Sequence, residues 1–182
     1  MTVTRPPFGH PSVVVRPLTA DDVARVQATE ASAGELFRSI DEPRIAQCAD
    51  NPPYPADDLV AAGDEGRAWV AVDGGVVVGF AVATLVDGEG HLDEVAVAPF
   101  AGRRGVGRIL VEQVEAWTAA RGLPSVTLTT FRDVPWNAPY YERLGYRVVD
   151  ELSPALRALV DEQATWGLDP TLRVVMRREI GS

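Results

Sequence analysis

The spacing of apolar residues divides the chain into short strands and helices. Residues 12–17 predict a first strand, after which Thr19 caps a helix that runs through Val26. Residues 30–47 predict a second helical stretch that is broken near Pro43, and residues 56–62 predict a short third helix. The front third of the chain is therefore predicted to be mainly helical.

Three extended segments separated by tight turns predict an antiparallel meander in the middle of the chain. The strands cover residues 68–72, 76–86 and 91–97. Residues 73–75 and 87–90 separate them, and their Asp and Gly residues suit hairpin turns because they tolerate positive φ.

The apolar period changes to that of a helix after Pro99. Apolar residues recur on one helical face at Val106, Leu110, Val114 and Trp117. The remaining pattern predicts a strand over residues 125–131, a helix over 137–144, a strand over 145–149, a helix over 154–165 and a strand over 172–178. A meander that leads into one β-α-β crossover predicts an α/β (α+β) fold, with a mixed, mostly antiparallel central sheet of about six or seven strands flanked by helices.

Length and composition narrow the class of protein. A chain of 182 residues suits one domain, predicted over residues 12–179 after an irregular arm over residues 1–11. No apolar run approaches the roughly 20 residues of a membrane span, and no secretory signal is recognisable, so a cytoplasmic protein is predicted. Cys48 is the only cysteine and His10 and His91 the only histidines, which excludes a disulfide framework and a metal site.

The 17 basic residues are all arginines, and charge is unevenly distributed. Residues 1–100 hold 6 Arg against 16 acidic residues, whereas residues 101–182 hold 11 against 10. An acidic front half lacks the basic face that nucleic-acid binding needs. The net charge of −9 favours a cationic small molecule or basic peptide as partner; alternatively it only keeps the protein in solution.

The segment HLDEVAVAPFAGRRGVGR, over residues 91–108, carries the clearest chemical signal. A strand ends at Pro99, and a helix begins directly after a loop rich in Arg and Gly. Gly105 and Gly107 allow a ligand to approach the backbone, and the free N–H groups of the first helical turn favour an anion. The chain has no lysine to complete a nucleotide P-loop. The segment therefore predicts a cradle for a pyrophosphate.

Two stretches resemble sequence motifs of the GCN5-related N-acetyltransferase (GNAT) family. VAVAP at residues 95–99 together with RRGVGRIL at residues 103–110 is similar to the family's motif A. WNAPYYERLGY at residues 136–146 resembles motif B, and the likeness covers roughly residues 12–179. Gly102 departs from motif A, which has Gln or Arg at this position.

The resemblance implies a GNAT-like fold and acetyl-CoA as co-substrate, without a metal. The backbone of residues 95–97 (Val95, Ala96 and Val97) would pair with the pantetheine arm. The pyrophosphate would lie on the loop and the first helical turn, at Arg103, Arg104, Gly105, Val106, Gly107 and Arg108. Asn137 and Tyr140 would contact the arm of the cofactor.

Acetyl transfer to an amine needs a base for the amine, a donor for the oxyanion and an acid for the leaving thiolate. Tyr141 matches the tyrosine of motif B that protonates the thiolate in the family; the alternative is a core position beside Tyr140. Glu94 is predicted to be the general base. A bulge in its strand would bring other side chains to the cleft, so Asp93 and His91 remain alternatives.

The acceptor is predicted to bind at the N-terminal helices. Glu30, Glu35 and Phe37 are candidates to hold the charge and stem of an amine; the alternative is ordinary helix surface and core. Residues 133–136 either line the same cleft or brace their own loop.

The predicted function is an acetyl-CoA-dependent N-acetyltransferase. It would move an acetyl group to a primary amine of a small molecule or peptide, by direct attack through a tetrahedral intermediate. The alternative is a non-catalytic acyl-CoA-binding module of the same fold that acts as a sensor or partner subunit. No nucleic-acid or membrane partner is predicted, and a homodimer is common among the proteins that this chain resembles.

Overall fold

Seven strands form one mixed sheet in the computed structural model, which describes residues 13–180. In chain order they are β1 (Val14–Pro17), β2 (Ala68–Asp73), β3 (Val76–Val86), β4 (Glu89–Val97), β5 (Ser125–Phe131), β6 (Arg147–Val148) and β7 (Arg173–Glu179). They lie in the order β1-β2-β3-β4-β5-β7-β6, and every neighbouring pair is antiparallel except β4 with β5. The predicted fold class is confirmed. The predicted arm over residues 1–11 lies outside the described residues.

Six α-helices flank this sheet in the described part of the chain. They are α1 (Val23–Gly34), α2 (Pro43–Ala46), α3 (Ala56–Asp64), α4 (Val106–Ala119), α5 (Ala138–Arg143) and α6 (Pro154–Thr165). Between residues 13 and 180, no helix is both long and apolar enough to cross a membrane.

Of the helical stretch predicted over residues 30–47, the break near Pro43 is confirmed, but residues 30–34 prolong α1 and no second long helix follows. α1 ends at Gly34, and only short 3-10 turns and the single turn of α2 follow it. Pro43 disfavours a helical conformation in the residue before it, and Glu42 is extended with ψ of 111°. The chain therefore cannot continue as one helix into α2.

The strand predicted over residues 145–149 is shorter than expected, covering only Arg147–Val148. Gly145 has a φ of 97°, and its N–H donates to the carbonyl oxygen of Glu142. This left-handed glycine ends α5, so the residue closes a helix instead of beginning a strand.

Two hydrophobic cores cover the two faces of the sheet. On one side, here called the α4 face, α4 buries Leu110 and Val114 against the sheet. On the other side, the α1 face, Val26 of α1 and Leu59 of α3 pack with Phe80 of β3. Because side chains alternate along a strand, neighbouring residues of β4 reach different faces. This alternation decides which side chains of the site can meet.

The β4–β5 pairing is short. Gly90–Leu92 of β4 pair with Val126–Leu128 of β5, after which the two strands separate. The register with β3 also shifts, because Ala83 lies opposite Leu92 while Val82 lies opposite Glu94. Asp93 is therefore the extra residue of a β-bulge. Beyond the bulge a wedge, here called the β4–β5 gap, opens between residues 93–97 and residues 129–131.

An ion pair fixes the start of α1 and gives a first testable prediction. Arg16 donates to both oxygens of the buried Asp22, at 2.7 and 2.8 Å, and this pairing lowers the pKa of Asp22 to about 2. A lowered pKa stabilises the fold above the unfolded value near pH 3.8, and this contribution disappears as pH falls through about 2. Asp22→Asn is therefore expected to lower the free energy of unfolding by about 1–2 kcal/mol at pH 7, and by little near pH 2.

Urea unfolding monitored by circular dichroism at several pH values measures this difference. Asp21→Asn is the control, since Asp21 is exposed in the same turn. A pH-independent destabilisation by Asp22→Asn contradicts the role given to the ion pair.

Candidate active site

The loop between β4 and α4 presents an unusual backbone. Arg103 and Gly105 both have positive φ, at 59° and 83°, and α4 begins directly afterwards at Val106. The first backbone hydrogen bond of the helix runs from the N–H of Ile109 to the carbonyl oxygen of Gly105. The N–H groups of residues 106–108 therefore have no partner inside the helix, and no side chain caps this end. Such a terminus attracts an anion.

The three arginines of the loop differ in their surroundings. Arg104 donates to Asp73 in the β2–β3 turn at 2.7 Å, and Arg108 donates to Glu112 on α4 at 2.7 Å. Arg103 is exposed and forms no ion pair within residues 13–180. Of the predicted phosphate ligands, Arg103 is thus the one whose guanidinium is not already engaged by a carboxylate.

Gly107 lies where the loop, β4 and α5 converge. A Cβ atom at this position would be 3.2 Å from the Tyr140 hydroxyl oxygen and 3.7 Å from Cγ2 of Val97. The structure therefore brings Val97, Gly107 and Tyr140 together at one end of the β4–β5 gap. Any side chain at Gly107 would occupy this space.

Asn137 precedes α5 on the other side of the gap. Its Nδ2 donates to Oγ1 of Thr130 at 2.7 Å, whereas its Oδ1 is buried without a donor. A buried acceptor without a donor is costly unless a ligand or water supplies one. Asn137 can therefore accept a hydrogen bond from an amide N–H in the gap.

Tyr141 is buried on the α4 face. Its ring packs edge-on against Tyr140 and Tyr146, with ring centroids 5.4 and 5.8 Å away. Burial raises the pKa of its hydroxyl, and the nearby charge of Glu94 raises it further. The ring thus belongs to the core, as one interpretation of the sequence has it, while the hydroxyl lies within electrostatic reach of Glu94.

Glu94 reaches the gap from the opposite face. It lies opposite Val82 of β3, which belongs to the α1-face core, and cross-strand partners point to the same side. Burial raises the pKa of the Glu94 carboxyl to about 8, and the negative charges of Glu30 and Asp93 act in the same direction. Glu94 and Tyr141 therefore lie on the two faces of the sheet, near enough for the charge of Glu94 to raise the pKa of the Tyr141 hydroxyl.

Each of the two alternative bases already has one hydrogen-bond partner inside the protein, although Nε2 of His91 has none. Asp93, in the bulge, accepts a hydrogen bond from the Tyr54 hydroxyl at 2.5 Å. His91 is fully buried, and its Nδ1 lies 2.8 Å from Oγ1 of Thr127. Burial lowers the pKa of His91 to about 4, which keeps the imidazole neutral at pH 7. Glu94 is the carboxyl whose protonation changes close to neutral pH.

The predicted acceptor residues separate into two groups. Glu30 accepts the backbone N–H of Tyr54 at 2.8 Å, and burial raises its pKa. Glu35 instead lies on the surface, where it pairs with Arg38 at 2.8 Å, because α1 has already ended at Gly34. Glu30 is therefore part of the cleft, and Glu35 is not brought to it.

Aromatic side chains form the far wall of the cleft on the α1 face. Phe37 contacts Phe131 edge-on, with centroids 5.6 Å apart, and lies 6.0 Å from the Trp136 ring. Phe37 and residues 133–136 were predicted from the sequence as candidates to line the acceptor cleft. Tyr54 and Arg173 were not, because nothing local in a proline-rich loop or in the last strand indicates that either reaches the cleft.

Comparison with known proteins identifies the family and the fold. The model of the Acetyltransferase (GNAT) family matches residues 34–146, and the chain belongs to this family. Its fold is that of the PaiA N-acetyltransferase from Thermoplasma acidophilum in complex with coenzyme A (14% identity, TM-score 0.68, covering 92% of this chain and 99% of that one).

Two further solved structures share the fold. Ard1 from Thermoplasma volcanium is 18% identical, with a TM-score of 0.66, and the match covers 94% of this chain and 99% of that one. Naa20 from Chaetomium thermophilum, in complex with a bisubstrate analogue, is 21% identical, with a TM-score of 0.62. The match covers 92% of this chain and 87% of that one.

Proposed function

We propose that this GNAT-family protein is an acetyl-CoA-dependent N-acetyltransferase that acetylates a primary amine of a small molecule or peptide. The observation that carries the proposal is the placement of Glu94 and Tyr141 on opposite faces of the sheet, beside a gap that ends at the free N-terminus of α4. One end of the gap suits an anion, and its middle holds a base and an acid.

The residues at the gap fit the co-substrate. The N–H groups of residues 106–108 and the exposed Arg103 would hold the pyrophosphate, with space above Gly107. Residues 95–97 pair with β3 on one edge only, so their other edge faces the gap. The N–H of Val95 already donates to Oε1 of Glu94 at 3.0 Å, and the remaining backbone groups of that edge would pair with the amides of the pantetheine arm. The buried Oδ1 of Asn137 would accept one of those amide N–H groups.

The protonation states of the base Glu94 and the acid Tyr141 suit acyl transfer. A primary ammonium group, with a pKa of about 10, loses a proton to Glu94. The raised pKa of Glu94 makes it a stronger base than an ordinary carboxylate. The amine nitrogen then attacks the thioester carbonyl: a C–N bond forms and the C–S bond breaks. Tyr141, kept protonated by its raised pKa, gives its proton to the leaving thiolate. The second proton that the nitrogen must lose to become an amide restores the Tyr141 hydroxyl.

The cleft also suits an amine as acceptor. Glu30, Asp93 and Glu94 place three carboxyl groups on the α1 face beside the gap. A cationic amine is attracted to this cluster before it loses its proton. Phe37 and Trp136 would contact the carbon chain that carries the amine.

Calorimetric titration with acetyl-CoA, followed by a panel of amines with a free-thiol readout, tests the proposal. Micromolar binding together with thiol release on at least one amine is the expected result. Tight binding without release on any amine would favour the non-catalytic module, and absence of binding would refute both.

Tyr141→Phe provides a specific test of the proposed acid. We expect kcat to fall about 100-fold, within the range of acid–base groups, with little change in the affinity for acetyl-CoA. Tyr146→Phe is the matched control: its hydroxyl donates to Glu115 at 3.0 Å, so its loss should lower Tm without lowering kcat. Equal kcat values for the Tyr141→Phe and wild-type proteins would mean that Tyr141 has a purely structural role.

A further inference from the structure

Arg173 is a half-buried cation at the start of β7. Its strand neighbour is Phe131, and its guanidinium carbon lies 5.3 Å from the centre of the Phe131 ring. Burial lowers the pKa of Arg173 to about 10. Arginine is rarely buried without a carboxylate or another acceptor that satisfies its five N–H donors.

The protein itself satisfies only part of this guanidinium. Nη2 donates to Oγ1 of Thr129 at 2.8 Å, and Thr129 in turn donates to Oε1 of Gln163 on α6 at 2.9 Å. The Nε atom is buried without an acceptor. Within residues 13–180 Arg173 forms no ion pair. Arg177, four residues further along the same strand, pairs with Glu89 at 3.0 Å.

Arg173 shares the cleft with the proposed base. Thr129 and Phe131 point to the α1 face, as does Glu94, and the positive charge of Arg173 acts to lower the pKa of the Glu94 carboxyl. The cleft therefore has two poles: carboxyl groups along β4 and α1, and a guanidinium beside the aromatic wall. A plain amine would occupy the first pole and leave the second unsatisfied.

We infer that the acceptor is an amine that also carries a carboxylate, as a free amino acid does, and that Arg173 binds this carboxylate while Glu94 receives the amine. This inference rests on the proposed function and specifies its substrate class. The planar guanidinium, held in place by Thr129, suits a carboxylate because the two groups can form parallel hydrogen bonds.

Matched acceptors test the inference. Phenylalanine, phenylalaninamide and 2-phenylethylamine share a side chain and differ in the group beside the amine, and assays above the pKa of each amine remove the difference in amine protonation. β-Alanine and 4-aminobutyrate vary the distance of the carboxylate from the amine, and phosphoethanolamine replaces the carboxylate by a phosphate. Thiol release gives kcat/KM for each acceptor. The wild-type protein is expected to prefer amino acids over the matched amide and amine by about 100-fold, because the half-buried Arg173 would otherwise be unpaired. A preference for phosphoethanolamine would overturn the assignment to a carboxylate.

Variants at Arg173 separate substrate binding from an effect on the base. Arg173→Gln is expected to lower kcat/KM for the amino acids about 100-fold and to leave that for the amide within a few-fold, and Arg173→Lys should fall between. Arg177→Gln is the control on the same strand. Equal losses for acid and amide, accompanied by a shifted pH profile, would mean that Arg173 acts only on Glu94 and would overturn the inference.

The failure of the inference and that of the proposed function are distinguishable. If wild-type protein acetylates acid, amide and amine equally, the inference is wrong and the transferase stands. If no acceptor is turned over, calorimetry with N-acetylphenylalanine in the presence of CoA decides the role of Arg173. Binding to wild type that Arg173→Gln weakens at least tenfold supports the carboxylate site, and equal or absent binding in both proteins overturns it.

Discussion

Glu94→Gln is expected to lower kcat about 100- to 1,000-fold at pH 8, within the range of general-base groups. Gln preserves the shape of the side chain but cannot take a proton from the amine. Because burial raises the pKa of Glu94 to about 8, the wild-type carboxyl is mostly protonated and inactive below this pH. The wild-type rate should therefore rise with pH up to about 8, and this acid limb should disappear in the variant. A pH–rate profile from pH 6 to 10 measures both effects.

The matched control is Glu89→Gln on the same strand, since Glu89 pairs with Arg177 outside the gap. It should retain the wild-type profile. If Glu94→Gln keeps the acid limb unchanged, the base is Asp93 or His91, the alternatives that the sequence left open.

The Tm of Glu94→Gln should also show the effect of burying the carboxyl group, without any measurement of turnover. A carboxyl whose pKa is raised on folding destabilises the folded state as pH rises from its unfolded value toward the folded one. Glu94→Gln is therefore expected to have a higher Tm than wild type at pH 9, and a similar Tm at pH 4. A lower Tm at pH 9 would show that the carboxylate is stabilised where it lies.

Gly107→Asp is expected to weaken acetyl-CoA binding at least about 100-fold, because it places a negative charge where the pyrophosphate would bind. A side chain here also meets the Tyr140 hydroxyl, since a Cβ would lie 3.2 Å from its oxygen. Gly107→Asn has the same shape without the charge and separates the two causes. We expect Asn to weaken binding about tenfold and Asp to weaken it further, as calorimetry at low and high salt can measure.

Salt provides the discriminating condition for this pair. The difference between Asp and Asn should shrink at high ionic strength, because salt screens charges at an exposed loop. Equal affinities of both variants and wild type for acetyl-CoA would exclude this end of α4 as the pyrophosphate site.

Local patterns were sufficient to predict the sheet, α4 and the loop before it. The apolar runs of β2 to β4 with the turn residues between them, and the spacing from Val106 to Trp117, depend on neighbours in sequence, which a single chain displays directly. The loop glycines are likewise a local signal, since Gly105 has the positive φ that its place before a helix requires.

Features that depend on distant parts of the chain were not predictable. The bulge at Asp93 follows from the register between β3 and β4, which no local residue pattern specifies. Tyr54 meets Asp93 across 39 positions, and Arg173 meets Thr129 across 44. Glu30 and Glu35 were both acids on one predicted helical stretch, and their contacts separate them: Glu30 binds the N–H of Tyr54 in the cleft, whereas Glu35 pairs with Arg38 on the surface.

The short β4–β5 pairing has a consequence for how the folded chain holds together. Gly90–Leu92 and Val126–Leu128 are the strand residues that join the β1–β4 half of the sheet to the β5–β7 half. A pantetheine chain along residues 95–97 would act as a missing strand and bridge the two halves where the backbone does not. A ligand that binds only the native state stabilises it according to its concentration. The lifetime of the folded molecule, and its resistance to proteolysis, would then follow the supply of acetyl-CoA in its surroundings.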